Sequence, residues 1–284
     1  MICYPLGVGA TLTRVLEAGD AKGPTILLVH GLSSRADRWG RNIDALALAG
    51  FRVIAADLPG HGFATKDPRH DHSIVGYGKF VLDLLDALSI ERATIVGTSL
   101  GGQVVADAVL RQPERAERLM MIGSTGFIPS TPERAQGFRD WIMHLTPESH
   151  RPRLERVFSD KSLVTEDMVR EDIRINTSPG AAACFDKFLT YMAGPMNADM
   201  VGHRLHQIEN RVPLLLFWGS EDSSVNVTVG RDARRALTKS RLIVARGLNH
   251  TPYYEQPRLF NEVLLKFIAD DLIALNGDPS LMLS

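Results

Sequence analysis

The stretch Thr94-Ile95-Val96-Gly97-Thr98-Ser99-Leu100-Gly101-Gly102 decides how this chain is read. A short β-branched run ends in G-x-S-x-G, and the residues that follow, Gln103 to Arg111, put Val104, Val105, Ala108 and Val109 on one helical face. A serine in a sharp strand-to-helix turn is held in strained backbone geometry, so its neighbours must be nearly free of side chain, as Gly97 and Gly101 are. Its hydroxyl then projects above the strand ends. The start of the helix aims free N–H groups and the positive end of its dipole at the same place. Ser99 is the candidate nucleophile. The plain alternative is a glycine-rich turn with an incidental serine, and the strand-turn-helix context argues against it.

A serine hydroxyl is a poor nucleophile at neutral pH. It needs a base, and the base needs a carboxylate to fix its tautomer and stabilise the imidazolium. The chain order expected for a nucleophile on this kind of turn is serine, acid, histidine. Five histidines follow Ser99: His144, His150, His203, His206 and His250. The first four fall in, or at the exit of, a long segment without strand candidates. His250 follows the apolar run Arg241 to Ala245, at a strand's carboxyl end, where open α/β sheets place their sites. The run Pro213 to Trp218 ends likewise in Gly219-Ser220-Glu221-Asp222, which makes Asp222 the candidate acid and Glu221 a solvated neighbour. The interval from Asp222 to His250 has room for one helix and one strand.

An oxyanion needs two aimed donors. After the run Thr25 to Val29 come His30-Gly31-Leu32-Ser33-Ser34, where Gly31 lets the backbone bend toward the nucleophile. The expected donors are the amides of Leu32 and Leu100, and losing one such donor typically costs about 3 kcal/mol of transition-state stabilisation. His30 reads as a structural brace, and Ser33 and Ser34 as pocket residues or helix caps. Asp57 and His61, in Asp57-Leu58-Pro59-Gly60-His61-Gly62-Phe63, read as turn residues.

Strand-like runs recur at Thr25 to Val29, Arg52 to Ala56, Thr94 to Val96, Leu119 to Ile122, Pro213 to Trp218 and Arg241 to Ala245, separated by helix-like stretches such as Gly78 to Leu88. This is the alternation of an α/β fold with a mostly parallel central sheet and helices on both faces. Ala10 to Glu17 is a weaker strand, expected at an antiparallel edge. From Phe127 to Asn210 the alternation stops. Charged, proline-punctuated sequence there carries Arg139, Arg151, Arg153, Arg156, Arg170 and Arg174 among aromatic residues such as Trp141. A helical cap over residues 127–210 is expected, inserted between core segments 1–126 and 211–284. Val263 to Ile273 reads as a final helix and Asn276 to Ser284 as a loose tail.

Bulk properties narrow the function. The 284 residues suit one large α/β domain or a domain with an insertion, and the net charge of -1 gives no pull toward polyanions. Nucleic acid is not an expected partner. Cys3 and Cys184 lack the companions of a zinc site and read as free thiols, and no metal or dinucleotide motif appears. No run approaches about 20 apolar residues and no secretory leader is recognisable, so a cytoplasmic protein acting on a small molecule, without cofactor or membrane, is expected. A homodimer remains open.

Five motifs in register, His30-Gly31, Asp57 to Gly62, Gly97 to Gly102, Trp218 to Asp222 and Asn249-His250, resemble those of the α/β-hydrolase superfamily over Thr25 to Ile268. The resemblance implies cofactor-free hydrolysis at Ser99. It argues against the branches that carry aspartate as nucleophile, and it matches the helical cap in position and size. The stretch Phe158 to Val169 is similar to hydrolases that cleave carbon–carbon bonds in ring-fission products, where a cap arginine binds the substrate carboxylate. That likeness implies Arg170 or Arg174 in this role; Ser33, Thr98 and Trp141 are further candidates for the pocket wall. The group usually has a glycine- and proline-rich oxyanion loop, Asn before the nucleophile and Trp after the histidine. This chain has Leu32-Ser33-Ser34-Arg35, Thr98 and Thr251. These departures favour a small or medium carboxylic ester or lactone, with carbon–carbon hydrolysis of a dienoate as the alternative. Ligand sensing without turnover stays open on fold grounds.

Overall fold

A computed structural model describes residues 1–284. The strands are β1 (Ile2–Val8), β2 (Thr11–Ala18), β3 (Thr25–Val29), β4 (Arg52–Ala56), β5 (Ala93–Thr98), β6 (Ala116–Ile122), β7 (Leu214–Gly219), β8 (Arg241–Ala245) and β9 (Leu281–Leu283). They form one sheet in the order β1-β2-β4-β3-β5-β6-β7-β8-β9. The six strands from β3 to β8 run parallel, while β1, β2 and β9 are antiparallel additions at the two edges.

The parallel strands are apolar throughout because both faces are covered. On β3, Leu27 and Val29 pack toward the layer containing α2 (Ile74–Ala87) and α3 (Leu100–Arg111), which follow α1 (Gly40–Leu48) in the chain. Ile26 and Leu28 point the other way, into the layer built by α1 and, near the C-terminus, the helix Pro257–Ile268. The same alternation carries Leu119 and Met121 against Met120 and Ile122 on β6.

Two expectations change at the ends, and one strand there had no counterpart in the sequence reading. β1 was not legible, because its seven residues include Pro5 and Gly7 and only Val8 is buried. The final helix closes at Ile268, followed by a short 3-10 turn at Leu272–Leu275. The tail expected to be loose instead pairs with β8 through Leu281–Leu283, with Leu281 buried in the core.

Between β6 and β7 lie α4 (Pro132–Ile142), α5 (Pro147–Val157), α6 (Glu166–Asn176) and α7 (Ala181–Met192). Thr-Pro-Glu occurs twice here and starts a helix each time. Thr131 caps α4 by accepting from the Arg134 amide, and Thr146 caps α5 by accepting from the Ser149 amide, with proline at the first helical position and glutamate in the first turn. Thr165 does the same for α6. After β7 come α8 (Val227–Ala236), α9 (Pro252–Glu255) and α10 (Pro257–Ile268). No helix is long and apolar enough to cross a membrane.

Candidate active site

The turn from β5 into α3 holds Ser99 at φ 55°, ψ -120°, outside the ordinary regions for a residue with a side chain. Sterics make the flanking glycines obligatory. A Cβ on Gly97 would lie 2.3 Å from the Gly101 carbonyl oxygen, and one on Gly101 would lie 2.4 Å from that of His30. The strained turn is clamped by its backbone: the Ser99 amide donates to the Ile122 carbonyl at 2.8 Å, and the Ser99 carbonyl accepts from Gly102 at 3.1 Å.

Asp222 and His250 come from the loops after β7 and β8, and the structure brings them together. His250 Nδ1 lies 2.9 Å from Asp222 Oδ2 and 3.0 Å from Oδ1. Asp222 is buried, and its Oδ1 also accepts the amides of Ser224 at 2.9 Å and Val225 at 2.8 Å. These bonds fix the carboxylate and assign the Nδ1 proton to it, which leaves Nε2 as the basic nitrogen. Gly123 closes the arrangement at φ 47°, where a Cβ would sit 2.7 Å from Asp222 Oδ2 and 3.1 Å from His250 Nδ1. No hydrogen bond joins Ser99 Oγ to His250, a contact that commonly tightens only with substrate bound. Both residues line one cavity of about 450 Å³.

Leu32 and Leu100 line the same cavity. The Leu32 amide has no acceptor in the chain, and that of Leu100 opens α3, where no intrahelical acceptor exists. His30 braces the loop: its Nε2 accepts the Leu58 amide at 3.0 Å and its Nδ1 donates to the Gly31 carbonyl at 2.8 Å. Asp57 is tied to Arg14 and to the amides of Ala36 and Phe63, away from the cavity.

Ser33, Thr98 and Trp141 all lie on the cavity wall. Arg170 and Arg174 do not, which corrects the reading of the cap. Helix α6 buries Met168, Val169, Asp172 and Asn176, so positions 170 and 174 face solvent, where Arg170 pairs with Asp167. The side chain α6 delivers to the cavity is an acid. Asp172 accepts from Arg35 and from Arg38 Nη2 at 2.5 Å, and from His150 Nε2 at 3.1 Å. Burial pushes its carboxyl up, but the charges of Arg38 and Arg35 and the hydrogen bond from His150 outweigh this and hold it at about 2. His150 in turn accepts from Trp141 Nε1 at 3.3 Å and stacks on its ring.

The arginines that do reach the cavity are Arg38, Arg134, Arg153 and Arg156. The sequence signal for Asp172 was its place in the 168, 172, 176 spacing, an acid between Met168 and Asn176 on one helical face.

A further set of bonds joins the end of α5 to the loops that carry Asp222 and His250. The Arg156 carbonyl accepts from Ser223 Oγ at 2.7 Å and Asn249 Nδ2 at 3.0 Å, and the Val157 carbonyl accepts from the His250 amide at 3.2 Å. Glu255, buried, receives the amides of Ser159 at 2.6 Å and Asn249 at 2.9 Å.

The geometry, a strained serine beside an Asp-oriented histidine on a parallel sheet, has its counterpart among known proteins. A family model described as alpha/beta hydrolase fold matches residues 24–167. A 2-hydroxy-6-oxononadienedioate/2-hydroxy-6-oxononatrienedioate hydrolase of Paraburkholderia phymatum is 31% identical over 277 residues, 92% of each chain. The meta-cleavage product hydrolase CumD of Pseudomonas fluorescens IP01 superposes with a TM-score of 0.80 at 25% identity, covering 94% of this chain and 97% of that one. The 2-hydroxy-6-oxo-6-phenylhexa-2,4-dienoate hydrolase of Rhodococcus sp. strain RHA1 shares the fold, with a TM-score of 0.83 at 22% identity over 94% of this chain and 98% of that one. The chain belongs to the α/β-hydrolase family, and it is a hydrolase.

Proposed function

We propose that this hydrolase cleaves a carbon–carbon bond next to a ketone in a dienoate, through an acyl-enzyme on Ser99. The observation that carries this reading is the whole-length similarity to a hydrolase named for a 2-hydroxy-6-oxo dienedioate. In this reading Ser99 Oγ attacks the ketone carbon while His250 Nε2 takes its proton, and Asp222 steadies the imidazolium. The amides of Leu32 and Leu100 receive the oxyanion. The dienol first shifts to its keto tautomer, its hydroxyl proton moving to the carbon beside the ketone, so that this carbon then departs as a conjugated dienolate rather than a bare carbanion and His250 returns its proton to the dienolate. Water, activated by the same histidine, then releases the carboxylic acid. One water is consumed and two products leave, an acid and a dienol or its ketone.

Ester or lactone hydrolysis uses the same steps with an oxygen leaving group. Thr98, Thr251 and the Leu32 to Arg35 loop favour it, because they replace residues usual in the carbon–carbon hydrolases. The test offers 2-hydroxy-6-oxonona-2,4-dienedioate and p-nitrophenyl butyrate, separately, to wild type and to Ser99→Ala. Wild type is expected to bleach the dienone, with Ser99→Ala folded by circular dichroism and near background on both substrates. Turnover of the ester alone would replace the carbon–carbon reading by the ester one. Retained turnover in Ser99→Ala would remove Ser99 as nucleophile, and absence of both turnover and fluorophosphonate labelling would favour a sensor.

A further inference from the structure

The loop after β3 comes close to the nucleophile: a Cβ on Gly31 would lie 3.1 Å from that of Ser99. The loop is a closed turn, in which the Ser34 amide donates to the Gly31 carbonyl at 3.3 Å and Leu32 and Ser33 take the two central positions. Ser33 stands at φ 54°, in the left-handed region, at the position where glycine is usual. A serine stays there only where its surroundings over-determine it. The Leu32 amide lies inside this turn, so whatever holds Ser33 also holds that donor.

At its start the turn is held by the core, where His30 Nδ1 donates to the Gly31 carbonyl. Its far end is held by the cap. Asn176, buried on α6, donates from Nδ2 to the Ser33 carbonyl at 2.9 Å, and because a carbonyl can only accept, the amide nitrogen is the atom that must face it. One helical turn earlier, Asp172 receives the guanidinium of Arg35, two residues beyond Ser33, and Glu171 receives the same group at 2.7 Å. The loop is thereby fastened to one helix of the cap. The other donor needs no cap: the Leu100 amide opens α3, and its turn is closed within the core by the Ser99 amide on the Ile122 carbonyl.

We infer that Asn176 is a positioning residue for the oxyanion hole. Through the Ser33 carbonyl it keeps the strained turn in place and the Leu32 amide aimed over Ser99, so the hole is complete only while α6 is seated. This rests on the reading of Ser99 as nucleophile and Leu32 as donor, and it holds for an ester or a ketone alike. The charge served by that donor develops on the substrate oxygen only in the transition state, so losing the Asn176 bond lowers kcat and spares KM.

The experiment compares wild type, Asn176→Leu, Asn176→Ala and Arg174→Gln. Leucine is close to asparagine in shape and opens no cavity, which serves where the alanine variant does not fold. On whichever of p-nitrophenyl butyrate and 2-hydroxy-6-oxonona-2,4-dienedioate the wild type turns over, both Asn176 variants are expected to lose at least tenfold in kcat, with KM within twofold. Inhibition by 1,1,1-trifluorohexan-2-one should weaken at least tenfold in step: Ser99 Oγ adds to its carbonyl carbon, the proton passes to His250 and the carbonyl oxygen becomes an oxyanion in the hole. A purely structural anchor would not move that inhibition together with kcat. Arg174→Gln, exposed on the opposite face of α6, should match wild type throughout. Hydrogen exchange of segment 31–35, which needs no turnover, should quicken at least tenfold in Asn176→Leu and stay unchanged at 100–102. A folded Asn176→Leu protein with wild-type kcat and inhibition, or with a rise in KM alone, would overturn the inference while leaving the hydrolase reading in place. Absence of turnover in wild type, with exchange still quickened by Asn176→Leu, would remove the hydrolase reading and leave the hold on the loop standing.

Discussion

At the scale of single residues, chemistry here depends on positions where a side chain has no room. Gly123 is the sharpest case, because its missing Cβ is the space in which the Asp222 carboxylate and the His250 ring meet. Gly123→Ala would force an alanine into the left-handed region and against Asp222 Oδ2. Its expected cost is about 1 to 3 kcal/mol of stability, with kcat down at least tenfold, read by denaturant melts and ester kinetics side by side. Wild-type kcat in a folded Gly123→Ala protein would mean the pair tolerates displacement. Ser99, Asp222 and His250 could be picked out from sequence because each sits in a short local signature: a glycine-flanked serine, or an acid or histidine just after a β-branched run. Gly123 carried no such signature, since its constraint comes from two loops far away in the chain.

At the scale of elements, α6 shows why local reading fails in the cap. Six strands of the sheet were legible because burial on both faces writes a continuous apolar run into each. In α6 only one stripe is buried, and that stripe contains Asp172, so a search for cationic residues points to the wrong face. The helix is anchored to the core by Arg35 and Arg38, both little exposed. Removing the acid strands those charges. Asp172→Ala should therefore destabilise by about 3 kcal/mol in chemical denaturation at neutral pH, more than a typical surface pair. A loss below 0.5 kcal/mol, as is usual for surface substitutions, would mean that Asp37 and Glu171 suffice for Arg35.

At the scale of the whole molecule, the same carboxyl sets part of the acid limit. A group whose folded value lies below its unfolded value stabilises the fold above the unfolded value and loses that contribution as pH falls through the folded one. For Asp172 the window runs from the ordinary 3.8 down to about 2. Wild type should lose about 2 kcal/mol across it from this group alone, and Asp172→Asn should show a shallower fall in Tm between pH 4 and pH 2. Parallel curves would assign the acid limit elsewhere.

The bonds from the Arg156 and Val157 carbonyls to Ser223, Asn249 and His250 have a consequence for traffic through the cavity. The strand of backbone that roofs the site is the same one that steadies the acid and histidine loops. Lifting that part of the roof unfastens the very loops that hold Asp222 and His250 together. If the α5 end does lift, opening and idling become one event: the enzyme is competent only while shut.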